Sequence, residues 1–238
     1  MKQATNDAAP KRALAAKQER SRQLRDRVID RGRVLVEQGG FAGTSMAEIA
    51  RAAGCSVGAL YYRFPDKDAL FDCVIEQATS SALETIRAKA AAGRYRLSTT
   101  AKAVHAVIED FADFIQDNQG MIRVVYQRAL EESRYWAVVR TTGFAMGSIW
   151  TAAILDSSDR PGDPQFRRQV RIALAHVTGV LTYAALVSEA AGSHLSREEQ
   201  IHWLALVATQ IIEAPPFQNT PPAQPEKPKA KRKPDRPD

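Results

Sequence analysis

Residues 44–71, TSMAEIARAAGCSVGALYYRFPDKDALF, decide how this chain folds. Met46, Ile49, Ala50 and Ala53 recur at the spacing that lines one face of a helix. Thr44 or Ser45 stands where an N-cap is wanted, and Glu48 follows Ser45 by three residues, in capping-box position. Gly54 supplies the left-handed residue that ends such a helix. Ser56 can cap a second helix whose inward residues would be Val57 or Leu60, Tyr61 and Phe64. Pro65 stops that helix, and Asp66 can cap a third through Ala69, Leu70 and Phe71. Two short helices about a Gly-containing turn make a helix-turn-helix, whose second helix enters a DNA major groove.

The same residues carry a family pattern. Gly-aromatic-x-x-Thr-Ser at the entry, Ile49-Ala50-x-x-Ala53-Gly54, Gly58-x-Leu60-Tyr61-x-x-Phe64 and Lys67-Asp68-x-Leu70 follow one another, behind the upstream helix RDRVIDRGRVLVEQGG. Together they resemble the N-terminal DNA-binding domain of the TetR family of bacterial one-component repressors. The resemblance covers roughly the first third of the chain; beyond it only length and an all-helical layout agree. It implies an all-α fold: a three-helix helix-turn-helix DNA-binding domain, then a C-terminal helical ligand-binding and dimerisation domain. It further implies a homodimer on double-stranded DNA, a palindromic operator, and release by a small-molecule effector.

By motif position, Ser56, Val57, Gly58, Ala59, Tyr61, Tyr62 and Arg63 form the recognition helix, with Leu60 and Phe64 turned to the core. Tyr61 is expected to pack inward with its hydroxyl reaching phosphate. Tyr62 and Arg63 have the reach for phosphate and base edge, and Arg63 can grip guanine bidentately. Thr44 and Ser45 would offer hydroxyl and N–H groups to phosphate at a helix N-terminus. Lys67 matches a phosphate-contacting lysine of the family. Where relatives often have Lys and Thr, this chain has Val57 and Ala59. Contact with thymine methyls is the substitute these side chains allow, and more of the affinity then falls to the basic N-terminus.

The net charge of +6 is uneven. Residues 1–34 hold 10 Lys/Arg against 4 Asp/Glu, and residues 214–238 hold 6 against 3, while 73–213 hold 14 against 15. A basic segment leading into a helix-turn-helix suits a phosphate backbone, with Lys11, Arg12, Lys17 and Arg20 as candidate contacts; a solvated tail is the other reading. No apolar run approaches the roughly 20 residues a membrane span needs, and no secretory leader opens the chain. Two cysteines with no metal spacing fit a reducing compartment, so a cytoplasmic protein is expected.

Four segments follow: a flexible basic arm over 1–16, the helix-turn-helix domain over 17–72, a helical ligand-binding and dimerisation domain over 73–213, and a Pro/Lys-rich tail over 214–238. The first helix should run from Lys17 to Gln38, burying Val28, Leu35 and Val36 and ending at Gly39-Gly40. Later breaks fall near Gly93, at 118–120, at 157–164 and at Gly192-Ser193. The last two helices, 165–191 and 196–213, carry Val170, Leu174, Val177, Leu181 and Leu186, then Trp203, Leu204, Val207 and Ile211. The resemblance makes these two helices the homodimer interface; packing within one subunit is the competing reading.

Nothing points to catalysis. His105, His176, His194 and His202 form no ligand motif, and there is neither a Gly-rich phosphate loop nor a nucleophile elbow. No cofactor or metal is expected. Cys55, at the start of the recognition helix, could serve as a redox switch but reads more simply as a small packed residue, and so does Cys73. Helices between about 101 and 155 hold aromatic and Met residues at core spacing, and an effector pocket would be sought first at His105, Phe111, Tyr126 and Trp150. Two alternatives stand beside the effector-controlled repressor: a TetR-like DNA-binding protein controlled by a protein partner, and a helical enzyme.

Overall fold

The structure, a computed structural model, describes residues 8–187 and 195–215, side chains of 8–11, 13 and 14 excepted. Among these residues there are nine helices and no strand: α1 (Ala8–Gly43), α2 (Met46–Ala53), α3 (Val57–Tyr61), α4 (Lys67–Ala91), α5 (Thr100–Asp117), α6 (Gln119–Glu131), α7 (Arg134–Asp156), α8 (Pro164–Leu186) and α9 (Arg197–Glu213). The Gly192-Ser193 break and the tail beyond residue 215 lie outside the described residues.

Local chemistry sets most of the boundaries. Ser45 caps α2 in a complete capping box with Glu48, and Gly54 takes the left-handed conformation at its end (φ 67°). Ser56, Asp66, Thr99, Asp163 and Ser196 cap α3, α4, α5, α8 and α9 with their side chains. The helix expected from Lys17 begins instead at Ala8, so residues 8–16, expected in a flexible arm, are helical and continue the basic stretch of α1. Gly40 (φ 72°, ψ 167°) breaks α1 where the Gly39-Gly40 pair foretold.

Two apolar clusters organise the chain. One joins Val28, Ile29 and Val36 of α1 to Ile49, Leu60, Phe64, Leu70, Phe71 and Val74, and also takes in Met121, Val124, Ala129 and Tyr135 from α6 and α7. The other gathers α5, α7, α8 and α9 around Val104, Ile108, Trp150, Ile154, Phe166, Val170 and Ile212. The head is therefore packed against α6, and α4 runs past the expected boundary at residue 72 into the body.

Two features differ from the sequence reading. The break between α6 and α7 falls at Glu132-Ser133, with neither Gly nor Pro. It is fixed by ion pairs made by Arg128 and Arg134. In addition, α7 is long and apolar enough, by length and composition alone, to cross a membrane. Arg140 and scattered Thr and Gly hide this from a search for one apolar run. Its residues Met146, Trp150, Ile154 and Leu155 are core.

Candidate nucleic-acid interface and internal cavity

The helix-turn-helix presents one face of α3 to solvent. Leu60 is fully buried and Phe64, one turn on, is 3 % exposed. Val57, Tyr61 and Tyr62 are 42, 49 and 89 % exposed. Tyr61 is thus not the core residue expected of it. A five-residue helix has room for one inward position per turn, and Leu60 and Phe64 take it, leaving Tyr61 about 100° away. Gly58 is exposed, and a Cβ there would meet nothing within 4 Å, so packing does not demand the glycine. Ser56 is engaged as the cap, accepting from the Ala59 N–H at 3.1 Å.

Several expected phosphate ligands are already hydrogen-bonded. The Thr44 hydroxyl, buried, donates to the carbonyls of Gly40 (2.9 Å) and Leu35 (3.2 Å), tying down the end of α1. Ser45 is exposed, but its N–H (2.8 Å) and hydroxyl (2.7 Å) both donate to Glu48 Oε2. The Ser45 hydroxyl first, then its N–H, hold the Glu48 carboxyl below the ordinary range. Lys67 Nζ donates to the Phe41 (2.8 Å) and Thr44 (3.0 Å) carbonyls and sits 4.2 Å from the Phe41 ring centre. Arg63 folds back along α3: Nη1 donates to the Ala59 carbonyl (2.9 Å) and Nη2 to Ser21 Oγ on α1 (3.2 Å). Its Nε is buried without a partner among the described residues. On α1, which meets this face at Ser21, Arg12, Lys17, Arg20, Arg22, Arg25 and Arg27 are exposed; the Lys11 side chain lies outside the described residues.

Between α4, α5, α6, α7 and α8 lies a cavity of about 190 Å³ whose wall carries no charged side chain. Phe111, Tyr126 and Trp150 line it as the sequence suggested. Phe111 and Trp150 pack with ring centres 4.7 Å apart, and Tyr126 meets Trp136 edge-on at 5.7 Å. His105 is a correction: it is exposed and lines no part of the cavity, because the inward face of α5 passes through Val104, Ile108, Phe111 and Ile115 instead. Behind Trp150 a polar relay closes the floor. Its indole N–H reaches Tyr95 Oη at 3.4 Å, and Tyr95 donates to Asp110 at 2.9 Å. Lys89 pairs with Asp110 at 3.1 Å.

One helix belongs to both sites. Met121, Ile122, Val125 and Tyr126 of α6 face the cavity. The N-terminal end of α6 presses Gly120 against α1 so closely that a Cβ would stand 3.0 Å from Glu37 Cβ and 3.1 Å from its carbonyl. Asn118 just before it accepts from Arg33 at 3.0 Å. At the C-terminal end Arg128, 8 % exposed, donates to Asp68 (2.6 Å), Glu131 (2.8 Å) and Glu132, and lies 4.2 Å over the Phe41 ring. Sequence reasoning missed Arg128 altogether; an arginine amid the apolar positions of α6 was the one available signal.

On α8 the stripe read as a dimer contact is internal, with Val170, Leu174, Val177 and Leu181 buried within the subunit, whereas on α9 Trp203 and Val207 of that stripe are exposed and Leu204 and Ile211 are half-buried. The apolar residues left outside are Ile172, Val180 and Tyr183 on α8 and Trp203, Leu206 and Val207 on α9. No group of three or more His, Cys, Asp or Glu able to hold a metal occurs among the described residues.

Residues 28–74 match the family model for bacterial regulatory proteins of the tetR family. The chain is 29 % identical over 121 residues to the nucleoid occlusion factor SlmA of Actinobacillus pleuropneumoniae, a match covering 51 % of this chain and 55 % of that protein. It thus spans about half the length of the curated relatives it matches. In fold it is similar to a TetR-family transcriptional regulator from Mesorhizobium loti, with a TM-score of 0.66 at 20 % identity over 81 % of this chain and 96 % of that one. A second structure of like fold is the regulator FadR from Bacillus subtilis in complex with stearoyl-CoA (TM-score 0.53, 14 % identity, 79 % of this chain and 97 % of that one).

Proposed function

We propose that this chain, a TetR-family bacterial regulatory protein, represses transcription in the cytoplasm by holding a palindromic operator as a homodimer and is released by a small effector. The observation that carries the DNA contact is the solvent-facing surface of a capped α3, where Val57, Tyr61 and Tyr62 have no packing role that would explain them. Val57, Ala59 and Tyr61 meet base edges and thymine methyls, Gly58 lets the backbone come close, and Tyr62 reaches phosphate. Ser56 and the backbone at Thr44 and Ser45 flank the groove. Arg63 contacts DNA by leaving Ser21, and Lys67 by the one N–H bond its two carbonyl partners leave over. The exposed helix of α1 adds phosphate contacts that favour any sequence equally.

Two-fold symmetry comes from the outer stripe of α8 and α9, which sets the paired α3 helices in grooves about 34–36 Å apart or a multiple of it. The effector reading rests on α6, which lines the cavity on one side and grips the head on the other. A ligand preferring a different α6 position shifts the population away from the DNA-binding state. FadR, of like fold, is seen with stearoyl-CoA, which supports a small-molecule ligand for this chain.

The test is fluorescence anisotropy on DNA from the chain's own upstream region, beside a shuffled duplex, across a salt series. Specific binding at least about 10³-fold above the shuffled duplex is expected. Tyr62→Ala should lose about tenfold in affinity with unchanged stability. Equal binding to every duplex counts against a specific regulator. A second reading is a TetR-like DNA-binding protein controlled by a protein partner rather than a small molecule; the match to a nucleoid occlusion factor favours looking beyond effector-controlled repression. That reading expects specific binding indifferent to every apolar compound.

A further inference from the structure

The cavity is not a closed chamber. Gly143, Gly147, Leu174 and Thr178 line it and also line a neighbouring groove of about 430 Å³ between α7 and α8. Gly143 and Gly147 stand one turn apart on α7, and a Cβ at either would meet nothing within 4 Å. The partition between the two spaces is therefore low there, and a ligand can lie in both.

The groove differs from the cavity in charge. It holds Arg167 and Arg171, one turn apart on α8, with Thr151 and Ser148 opposite, and no carboxylate in its lining. Neither guanidinium has a hydrogen-bond or ion-pair partner among the described residues. Like charges at this spacing repel slightly, and an anion between them reverses the sign. The Ser148 and Thr178 hydroxyls already donate to the carbonyls of Phe144 (2.7 Å) and Leu174 (2.8 Å), so the charged donors left for a ligand are the two arginines, with the buried Thr151 hydroxyl beside them.

We propose that the ligand of this body is an amphipathic anion, its apolar tail among Phe111, Tyr126 and Trp150 and its carboxylate or phosphate head between Arg167 and Arg171. The inference rests on the cavity being the effector site. An aromatic wall could equally attract an organic cation, and a space that shares Phe114 and Asn118 with the cavity holds Asp110, Asp113 and Asp117; but Lys89 pairs with Asp110 and Arg197 with Asp113, and Arg33 stands in the same lining, so that side offers a cation little uncompensated charge. A neutral apolar compound would fill the cavity and leave the arginines unused. The head remains at the groove mouth, so the site reads its charge rather than its bulk.

The experiment uses the full chain and four probes sharing one alkyl tail, each below its micelle concentration: dodecanoate, dodecyl phosphate, dodecanol and dodecyltrimethylammonium. Binding is followed by calorimetry and by tryptophan fluorescence. Dodecanoate and dodecyl phosphate should bind at least about tenfold tighter than the alcohol or the cation. Arg167→Ala combined with Arg171→Ala, both surface changes, should abolish that difference and leave dodecanol binding unchanged. Gly147→Leu should weaken all four. Equal binding of alcohol and carboxylate, or an arginine variant that keeps the full preference, overturns the proposal. So does a variant that alters only the monomer–dimer balance. Arginine-dependent binding with no change in operator affinity would sink the effector role and leave the ligand class standing. If no probe binds, both fall.

Discussion

Arg128 on α6 donates a 2.6 Å hydrogen bond to Asp68 on the first turn of α4, and by it the body holds the DNA-binding head. The pair is asymmetric: Arg128 is almost wholly buried, whereas the Asp68 side chain is 46 % exposed. Water screens the carboxylate side, so the contact acts through geometry and through the cost of leaving a buried cation without partners. Arg134 repeats the connection one turn of α4 later, pairing with Asp72 at 2.6 Å.

Arg128→Leu should destabilise the protein by about 1–3 kcal/mol, because Asp68, Glu131 and Glu132 are left facing one another without their shared cation. Its sharper effect should be on coupling: operator affinity stays measurable, but an effector no longer changes it. Urea midpoints and anisotropy with and without ligand check both. A variant that keeps the full response removes Arg128 from the coupling.

Lys67→Met tests whether a family phosphate ligand here also serves as an internal tie. Removing Nζ takes a donor from the carbonyls of Phe41 and Thr44, the former keeping only the long 3.4 Å bond from the Thr44 N–H, so a loss of about 1–3 kcal/mol is expected from thermal unfolding. If Lys67 also neutralises a phosphate, the slope of log affinity against log salt falls by about one. An unchanged slope assigns the residue to the fold alone.

Val207→Asp places a charge on the outer apolar stripe of α9, where Val207 is 52 % exposed. The subunit should fold with unchanged helicity yet sediment as a monomer, and operator binding should collapse with the lost symmetry. Val177→Asp, at a buried position of α8, should instead unfold the body. A dimer that survives Val207→Asp would locate the interface elsewhere.

Alkali should expose two buried phenols. Burial pushes Tyr95 up to about 12, and the hydrogen bond to Asp110 adds to it. Burial likewise pushes Tyr135 up to about 12, with Asp72 as its acceptor. The unfolded chain loses these protons near the ordinary value of 10.0, before the folded one does. Stability is thus intact below about pH 10 and declines as pH rises toward about 12. Urea midpoints at successive pH values should show that decline, and Tyr95→Phe with Tyr135→Phe should flatten it. A double variant as alkali-sensitive as the parent would refute the assignment.

What the sequence made legible was local. The Ser45–Glu48 box, the Gly54 turn and the Ser56 and Asp66 caps each depend on residues within four positions, and all appear. What it hid was distant or rotational. Arg128 and Asp68 are 60 residues apart, so no window contains the pair. On α8 the residues 170, 174, 177 and 181 interleave with 172, 180 and 183, all apolar or aromatic. Periodicity alone does not say which stripe turns inward; packing against α9 and α5 does. His105 and Tyr61 failed for the same reason, each lying one residue from a position the core took.

The contact of Gly120 with Glu37 gives α6 a fulcrum. Since the spacing there is set by the bare backbone of Gly120 against Glu37, exchanging any other side chain on α6 leaves it unchanged, and only a side chain at position 120 would force it open. Eight residues separate this point from Arg128, a lever arm of about 12 Å at helical rise. A tilt of about 10° caused by a guest beside Tyr126 would carry Arg128 through about 2 Å, enough to part it from Asp68. Drift in the cavity wall can thus alter which molecule pushes on the lever, while the pivot and the stroke stay fixed.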